Sequence, residues 1–141
     1  MNISPLCRNT RPEGQLPPQE QAAFDLLDRL GIDYDRVSHE AAFNMELCAD
    51  VAAALGVPVC KNLFLCNRQQ TAFYLLCMMP DKPFHTKDLS AQIGSSRLSF
   101  APEDKLWELL RCQPGSATIL GLANDTERRV QLLLERTVYE A

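Results

Sequence analysis

Apolar side chains recur at helical spacing in the first part of the chain. Between residues 19 and 30 they return every three to four positions, at Ala22, Ala23, Leu26, Leu27 and Leu30. This spacing predicts an amphipathic helix that begins after Pro17-Pro18 and ends at Gly31. A strand over residues 32–38 and a second helix over 46–55 are predicted to follow.

The pattern changes to continuous apolar runs in the middle of the chain. Residues 62–66 and 72–79 form two such runs, separated by the polar segment 67–71. Apolar runs joined by a polar turn predict a buried β-hairpin. After it we predict a helix over residues 86–93, a short strand over 97–100, and a helix that begins at Pro102 and buries Trp107.

Two more strands are predicted over residues 116–120 and 130–134, joined through the turn-forming pair Asn124-Asp125. The order of helices and strands predicts an α+β fold, a single domain with a mixed central β-sheet and packed helices. A chain of 141 residues has the size of one domain. We place this domain at residues 18–141, after an irregular, proline-containing arm over residues 1–17.

Charge and composition argue against several kinds of partner, namely DNA, a membrane and a metal ion. The formal net charge is -4, whereas nucleic-acid-binding domains usually carry a basic surface, so we expect no DNA partner and only local contact with RNA. No apolar run approaches the ~20 residues of a membrane-spanning helix, and no signal peptide is visible. We therefore expect no membrane association and a cytoplasmic location. The six cysteines form no Cys-x-x-Cys pair, which predicts buried free thiols and no metal site.

A few residues could carry chemistry. Lys61 stands where a loop meets an apolar strand, and it could hold a phosphate or polarise a carbonyl there. Its local sequence favours an ordinary lysine whose ammonium reaches solvent. Gly115-Ser116 and Gly121 suit either a loop that approaches a substrate or a plain turn. His39 is either a general base or, more commonly, a structural histidine.

Five segments, in their order and spacing, resemble the YbaK-type prolyl-tRNA editing family. They are Lys61-Asn62-Leu63-Phe64-Leu65, His85-Thr86-Lys87-Asp88-Leu89, Arg97-Leu98-Ser99-Phe100-Ala101, Gly115-Ser116-Ala117-Thr118 and Gly121-Leu122-Ala123-Asn124-Asp125. The resemblance runs from about residue 18 to residue 135. The first segment is closer to the branch that acts on alanyl-tRNA(Pro) than to the branch that acts on cysteinyl-tRNA(Pro).

The resemblance implies a stand-alone aminoacyl-tRNA deacylase that needs no cofactor and hydrolyses mischarged tRNA(Pro), with alanyl-tRNA(Pro) as the expected substrate. Its expected partners are the acceptor end of tRNA(Pro) and prolyl-tRNA synthetase. Lys61 is the implied catalytic residue. The implied substrate-binding residues are His39, Gly115, Ser116, Gly121, Asn124 and Asp125. We add Phe100, with Leu63 and Leu65, as an apolar wall of a pocket too small for proline.

Alternatives stay open at this point. The misacyl group could be Cys or Ser, or the chain could be a non-catalytic module of the same fold that binds tRNA or a synthetase. A cytosolic domain that binds a small molecule is a third reading. Members of the family commonly continue into a helix and a His-Pro segment, whereas this chain ends at Ala141. We therefore expect a domain that lacks the usual C-terminal segment.

Overall fold

The first compact unit of the chain extends to Val59. In the computed structural model, which describes residues 3–39 and 45–140, this unit contains strand β1 (Cys7–Arg8), helix α1 (Pro18–Leu30), strand β2 (Asp35–Arg36) and helix α2 (Met45–Leu55). Both predicted helices are confirmed. Helix α1 ends at Gly31, whose φ of 68° lets its N–H reach the carbonyl oxygens of the last turn.

The predicted strand over residues 32–38 is much shorter than expected. Only β2 forms, and it pairs antiparallel with β1, a short strand inside the segment that we predicted to be irregular. The Phe24 and Tyr34 rings lie 5.6 Å apart and pack α1 against the start of this segment. Because β1 offers only two residues for pairing, β2 cannot extend further, and the rest of the segment 32–38 stays irregular.

The second unit, from Cys60 onward, is built on a four-stranded sheet. Strands β3 (Lys61–Cys66) and β4 (Phe73–Met78) form the predicted hairpin, with Asn67 closing the turn by accepting the N–H groups of Thr71 and Ala72. Strand β5 (Ser99–Phe100) pairs antiparallel with β3, and β6 (Val130–Leu134) pairs parallel with β4. The sheet is therefore mixed, in the order β5-β3-β4-β6, which confirms the predicted α+β class.

Helices cover this sheet on both faces. Helices α3 (Thr86–Ile93), α4 (Glu103–Leu110) and α5 (Arg136–Glu140) belong to the second unit. The face of the sheet that contacts α4, called here the α4 face, is a core of Phe64, Cys66, Phe73, Leu75, Leu106, Leu109 and Leu110. The opposite face, called the α3 face, packs Leu65, Leu76 and Met78 against Leu63, Tyr74, Phe84, Leu89 and Leu133. Successive residues of a strand point to opposite faces of the sheet, which is why neighbouring residues of β3 and β4 belong to different cores.

Two predictions in this unit are wrong. Residues 116–120 do not form a strand, because the Thr118 hydroxyl accepts the Leu120 N–H and begins a 3-10 helix, Ile119–Asn124. Trp107 is not part of the core: it remains 42% exposed, since α4 turns Leu106, Leu109 and Leu110 toward the sheet. The Trp107 ring instead contacts the Arg111 guanidinium at 5.5 Å.

Candidate active site

Lys61 is the first residue of β3, and it lies at the edge of the α3 face. Its partner across the hairpin is Met78, a buried residue. The Lys61 ammonium donates a hydrogen bond to the backbone carbonyl oxygen of Lys82. The alternation of the strand sets Lys61, Leu63 and Leu65 on the same face. The local sequence left Lys61 open as a solvated surface lysine, but its ammonium is held by backbone in the structure.

The neighbouring charges belong to Lys82 and Glu135. The Lys82 ammonium lies 2.6 Å from a Glu135 carboxylate oxygen and 3.1 Å from the Thr137 hydroxyl. Glu135 also accepts the Met79 N–H at 2.9 Å. The hydrogen bond from Lys82, followed by that from Met79, lowers the pKa of Glu135. Since Lys82 pairs with Glu135, the charge of Lys82 is largely compensated next to Lys61.

A cleft of about 570 Å³ opens beside Lys61. Strand β3 contributes Lys61 and Leu63 to its wall, β5 contributes Phe100, and the segment that enters α3 contributes Phe84, His85, Thr86 and Lys87. One cleft thus combines two ammonium groups with leucine and phenylalanine side chains. A fixed cation beside an apolar wall suits a substrate that carries a polar reacting group next to an apolar one.

Two of the predicted site residues, Lys61 and Phe100, meet in this cleft, and Leu63 joins them. Leu65, expected as a third apolar wall, is instead fully buried below it, at 0% exposure. Gly115 and Ser116 lie elsewhere, in the exposed loop after α4. Gly115 has a φ of 81°, and the Ser116 N–H donates to the Gln113 carbonyl at 2.9 Å, which describes a tight turn.

Gly121 and Asn124 lie at the end of α4, and Asp125 lies at the start of β6. A Cβ atom on Gly121 would come within 2.8 Å of the Leu110 carbonyl oxygen, so only glycine allows this approach. The Asn124 amide donates to the same oxygen at 3.1 Å. The two Asp125 carboxylate oxygens accept the N–H groups of Arg129, at 3.0 Å, and Val130, at 2.8 Å. In the structure these three residues join the 3-10 helix to α4 and to β6.

His39 belongs to the first unit of the chain. It forms an isolated antiparallel bridge with Ile3. In the sequence His39 was expected to end a strand over residues 32–38, and in the structure it follows the shorter strand β2.

The cysteines show no sign of a catalytic role. All six cysteines are free, and Cys66, Cys77 and Cys112 are buried. Burial raises the pKa of the Cys77 thiol to about 11, with a smaller contribution from Cys60, so this thiol is protonated at neutral pH.

Within residues 3–39 and 45–140, no group of three His, Cys, Asp or Glu residues could hold a metal ion. No helix in these ranges is long and apolar enough to span a membrane.

The segment that enters α3 is absent from the predicted site. Phe84, His85, Thr86 and Lys87 all line the cleft. Residues 85–89 are among the segments that resemble the family, but none of these four residues was predicted as a site residue. A signal was present, because a loop that enters a helix start next to an apolar strand often supports a binding site. The packing of Phe84 on the α3 face and the hydrogen bond from Lys61 to the Lys82 carbonyl bring this segment next to Lys61.

Comparison with known proteins gives the family. Residues 39–141 match the family model described as the aminoacyl-tRNA editing domain, which is most of the chain. The chain belongs to this family. The membership confirms the YbaK-type resemblance and the enzyme class that it implied, an aminoacyl-tRNA deacylase.

Curated relatives agree with this assignment. The prolyl-tRNA editing protein ProX of Acetoanaerobium sticklandii is 29% identical over 119 residues, which cover 84% of this chain and 73% of the relative. The prolyl-tRNA synthetase associated domain-containing protein 1 of Danio rerio is 36% identical over 112 residues. These cover 79% of this editing-domain chain but only 60% of that relative.

The fold of this editing domain is also found among solved structures. The crystal structure of the hypothetical protein APE2540 superposes with a TM-score of 0.63 at 17% identity. The match covers 85% of this chain and 77% of the other. At this identity the likeness concerns the fold alone.

Proposed function

We propose that this chain hydrolyses tRNA(Pro) mischarged with alanine, acting in trans, and that Lys61 is its catalytic residue. The observation that carries the proposal is the position of the Lys61 ammonium, held by the Lys82 carbonyl in the wall of a cleft with an apolar side. The names of the two relatives refer to prolyl-tRNA editing and to prolyl-tRNA synthetase. They support tRNA(Pro) as the substrate.

The reaction needs no nucleophilic side chain. An aminoacyl ester is already activated, so an oriented water can attack its carbonyl carbon and form a tetrahedral intermediate. The ester bond to the terminal ribose then breaks, and the ribose oxygen takes up a proton that the water has lost. The products are free alanine and tRNA(Pro). A cation fixed beside the carbonyl oxygen stabilises the negative charge that develops on it.

The charges around Lys61 favour this role. Within residues 60–140, no carboxylate lies within ion-pair distance of the Lys61 ammonium, and the nearby Glu135 is already paired with Lys82. In this proposal the positive charge of Lys61 acts on the substrate. Because an ammonium has three donors and one is used by the Lys82 carbonyl, two remain for a substrate oxygen. A contact with the phosphate of the terminal nucleotide is the competing use.

Selectivity follows from the size of the apolar part of the cleft. A synthetase pocket made for proline cannot strongly exclude the smaller alanine, since a missing methylene changes binding by only ~1–3 kcal/mol. A second site that is too narrow for proline corrects the error. Leu63, beside Lys61 in the cleft wall, is the residue that we assign to this exclusion.

Gly115 and Ser116 keep their proposed roles without a place in this cleft, and His39 keeps its proposed role as well. By resemblance, Gly115 and Ser116 contact the aminoacyl group and His39 belongs to the substrate site. The acceptor end of tRNA(Pro) and prolyl-tRNA synthetase are the proposed partners, and the cytoplasm is the proposed location. The proposed division of the chain at residue 17 stays a prediction as well.

The test is a deacylation panel. Purified protein is incubated with tRNA(Pro) charged with alanine, cysteine, serine or proline, and release of each labelled amino acid is compared with the rate without protein. We expect rapid release of alanine and no release of proline. Lys61→Ala should abolish the release. Lys105→Ala, which removes a lysine paired with Glu108 on α4, is the matched control and should keep it.

Each of the other outcomes would support a different function. Release of cysteine or serine in preference to alanine would support the deacylase activity but identify a different substrate. Binding of tRNA(Pro) with no turnover of any charged form would support a non-catalytic module instead. Full activity of Lys61→Ala would remove Lys61 from the reaction.

A further inference from the structure

Phe100 is unusually exposed for its size and surroundings. It lies on β5, the edge strand of the sheet, opposite Leu65, and it remains 61% exposed while Leu65 is fully buried. The Phe100 ring also lines the cleft that contains Lys61. An aromatic side chain in this position contributes little to the core, so its exposed surface is available to a ligand.

The ring of Phe84 holds Phe100 in place. The two ring centroids lie 6.2 Å apart with an interplanar angle of 65°, which is an edge-to-face contact. Phe84 is itself partly buried and packs with Leu89 in the core of the α3 face. A ring that is oriented from one side and exposed on the other forms a platform for a second flat group.

Phe100 and Lys61 line the same cleft but are separated along the direction of β3. Phe100 pairs with Leu65, which is four residues along β3 from Lys61, and four residues at about 3.3 Å each give roughly 13 Å along the strand. A small acyl group beside the Lys61 ammonium does not extend this far. A ligand that contacts both residues must continue from a polar reacting group to a flat apolar one.

We propose that the Phe84-Phe100 pair is a stacking platform for the base of the 3′-terminal adenosine of the charged tRNA. The inference rests on the proposed function, because the terminal ribose carries the ester that Lys61 would meet. Every nucleobase has a π-face, and unpaired bases at RNA ends are commonly held by stacking on aromatic side chains. Lys87, a further cation in the same cleft wall, suits the phosphate of this nucleotide.

The first experiment measures stacking without catalysis. Trp107 is the only tryptophan, so Phe100→Trp in a Trp107→Phe background reports on the platform alone. The probes are an uncharged tRNA(Pro) acceptor minihelix ending in CCA and the same minihelix ending in an abasic ribose. We expect the CCA probe to quench the fluorescence and the abasic probe to leave it unchanged. No quenching by the CCA probe would overturn the proposal.

The second experiment measures affinity with the wild-type chain and two variants. The wild type should bind the CCA minihelix roughly 5- to 150-fold more tightly than the abasic one. Phe100→Ala should remove this preference, and Phe100→Tyr should retain it. Ile119→Ala removes another exposed apolar side chain, outside the cleft wall, and should leave the preference unchanged. Equal wild-type affinity for the two probes, whether strong or weak, would contradict the platform.

Kinetics separate this inference from the proposed function. With alanyl-tRNA(Pro), Phe100→Ala should raise KM in proportion to the lost affinity and change kcat little, because the platform does not touch the reacting ester. If the wild type hydrolyses alanyl-tRNA(Pro) but shows no base preference, the platform fails and the function stands. If it prefers the CCA probe but hydrolyses no charged tRNA, the function fails and the platform stands.

Discussion

Two regions of the molecule contain residues of the motifs that suggested a deacylase: the cleft beside Lys61 and the 3-10 helix that contacts the end of α4. The polar side chains of these two regions have different partners. In the cleft, Lys61 places a cation beside apolar side chains and uses one of its donors on backbone. Around the 3-10 helix, Asn124 and Asp125 direct their side chains to backbone groups, and Gly121 permits the close contact with the end of α4.

This difference separates two kinds of motif residue. A polar group that is satisfied within the fold stabilises that fold, whereas one that remains available can act on a ligand. Motif residues of both kinds are easily taken for a single site when only the sequence is read. Variants in the two regions should therefore affect different measurements, turnover in the cleft and stability at the end of α4.

The largest effect is expected from Lys61→Ala. Loss of a preorganised cation beside a developing oxyanion should lower kcat for alanyl-tRNA(Pro) by about 10²- to 10³-fold. The free energy of unfolding should change little, because the side chain gives up one partly exposed hydrogen bond. Single-turnover deacylation and urea unfolding measure the two quantities. A variant that unfolds much more easily than the wild type would place Lys61 among the scaffold residues instead.

Gly121→Ala should give the reverse result. The new Cβ would lie 2.8 Å from the Leu110 carbonyl oxygen and 2.9 Å from the Cys112 sulfur, an overlap that costs about 1–3 kcal/mol. Urea unfolding should show this loss, while turnover per folded molecule stays at the wild-type level. Ala123→Ser, at an exposed position of the same 3-10 helix, is the control and should be neutral. Lower turnover at full stability would instead favour a direct substrate role for Gly121.

Asn124→Ala should have a smaller effect of the same kind. It removes the donor to the Leu110 carbonyl oxygen, and we expect a loss of about 0.5–1.5 kcal/mol in the free energy of unfolding. Asn124→Asp has nearly the same size but no donor, so it should be at least as unstable. If both variants unfold like the wild type, this hydrogen bond does not anchor the 3-10 helix.

The smallest expected effect is a change in pH dependence at Glu135. The hydrogen bond from Lys82 lowers the pKa of Glu135 below its ordinary value of 4.5, so the pair stabilises the fold fully above that value. This contribution is lost as the pH falls through the lower folded pKa. Glu135→Gln should therefore flatten the stability profile in that acidic range. Urea unfolding at several pH values between about 3 and 7 tests this, and an unchanged acidic slope would contradict it.

Local structure was largely predictable from the sequence. The residues of the β3-β4 hairpin, of α3 and of the helix after Pro102 follow from apolar periodicity and from residues that begin or end helices, which act within a few positions of the chain. The segment 116–120 could not be predicted in the same way. Its composition suits a strand, but the Thr118 hydroxyl and the contact of Gly121 with Leu110 favour a 3-10 helix.

What the sequence determined by itself is the class of the protein: an α+β domain of the aminoacyl-tRNA editing family with Lys61 as the residue to test. The tertiary structure alone decided which of the motif residues share a site. It brought Lys61, Phe84 and Phe100 to one cleft. It placed Gly121 and Asn124 at the end of α4 and Asp125 at the start of β6. The reason is physical, since strand pairing and the faces that helices cover depend on contacts between residues far apart in the chain, and short-range patterns do not record those contacts.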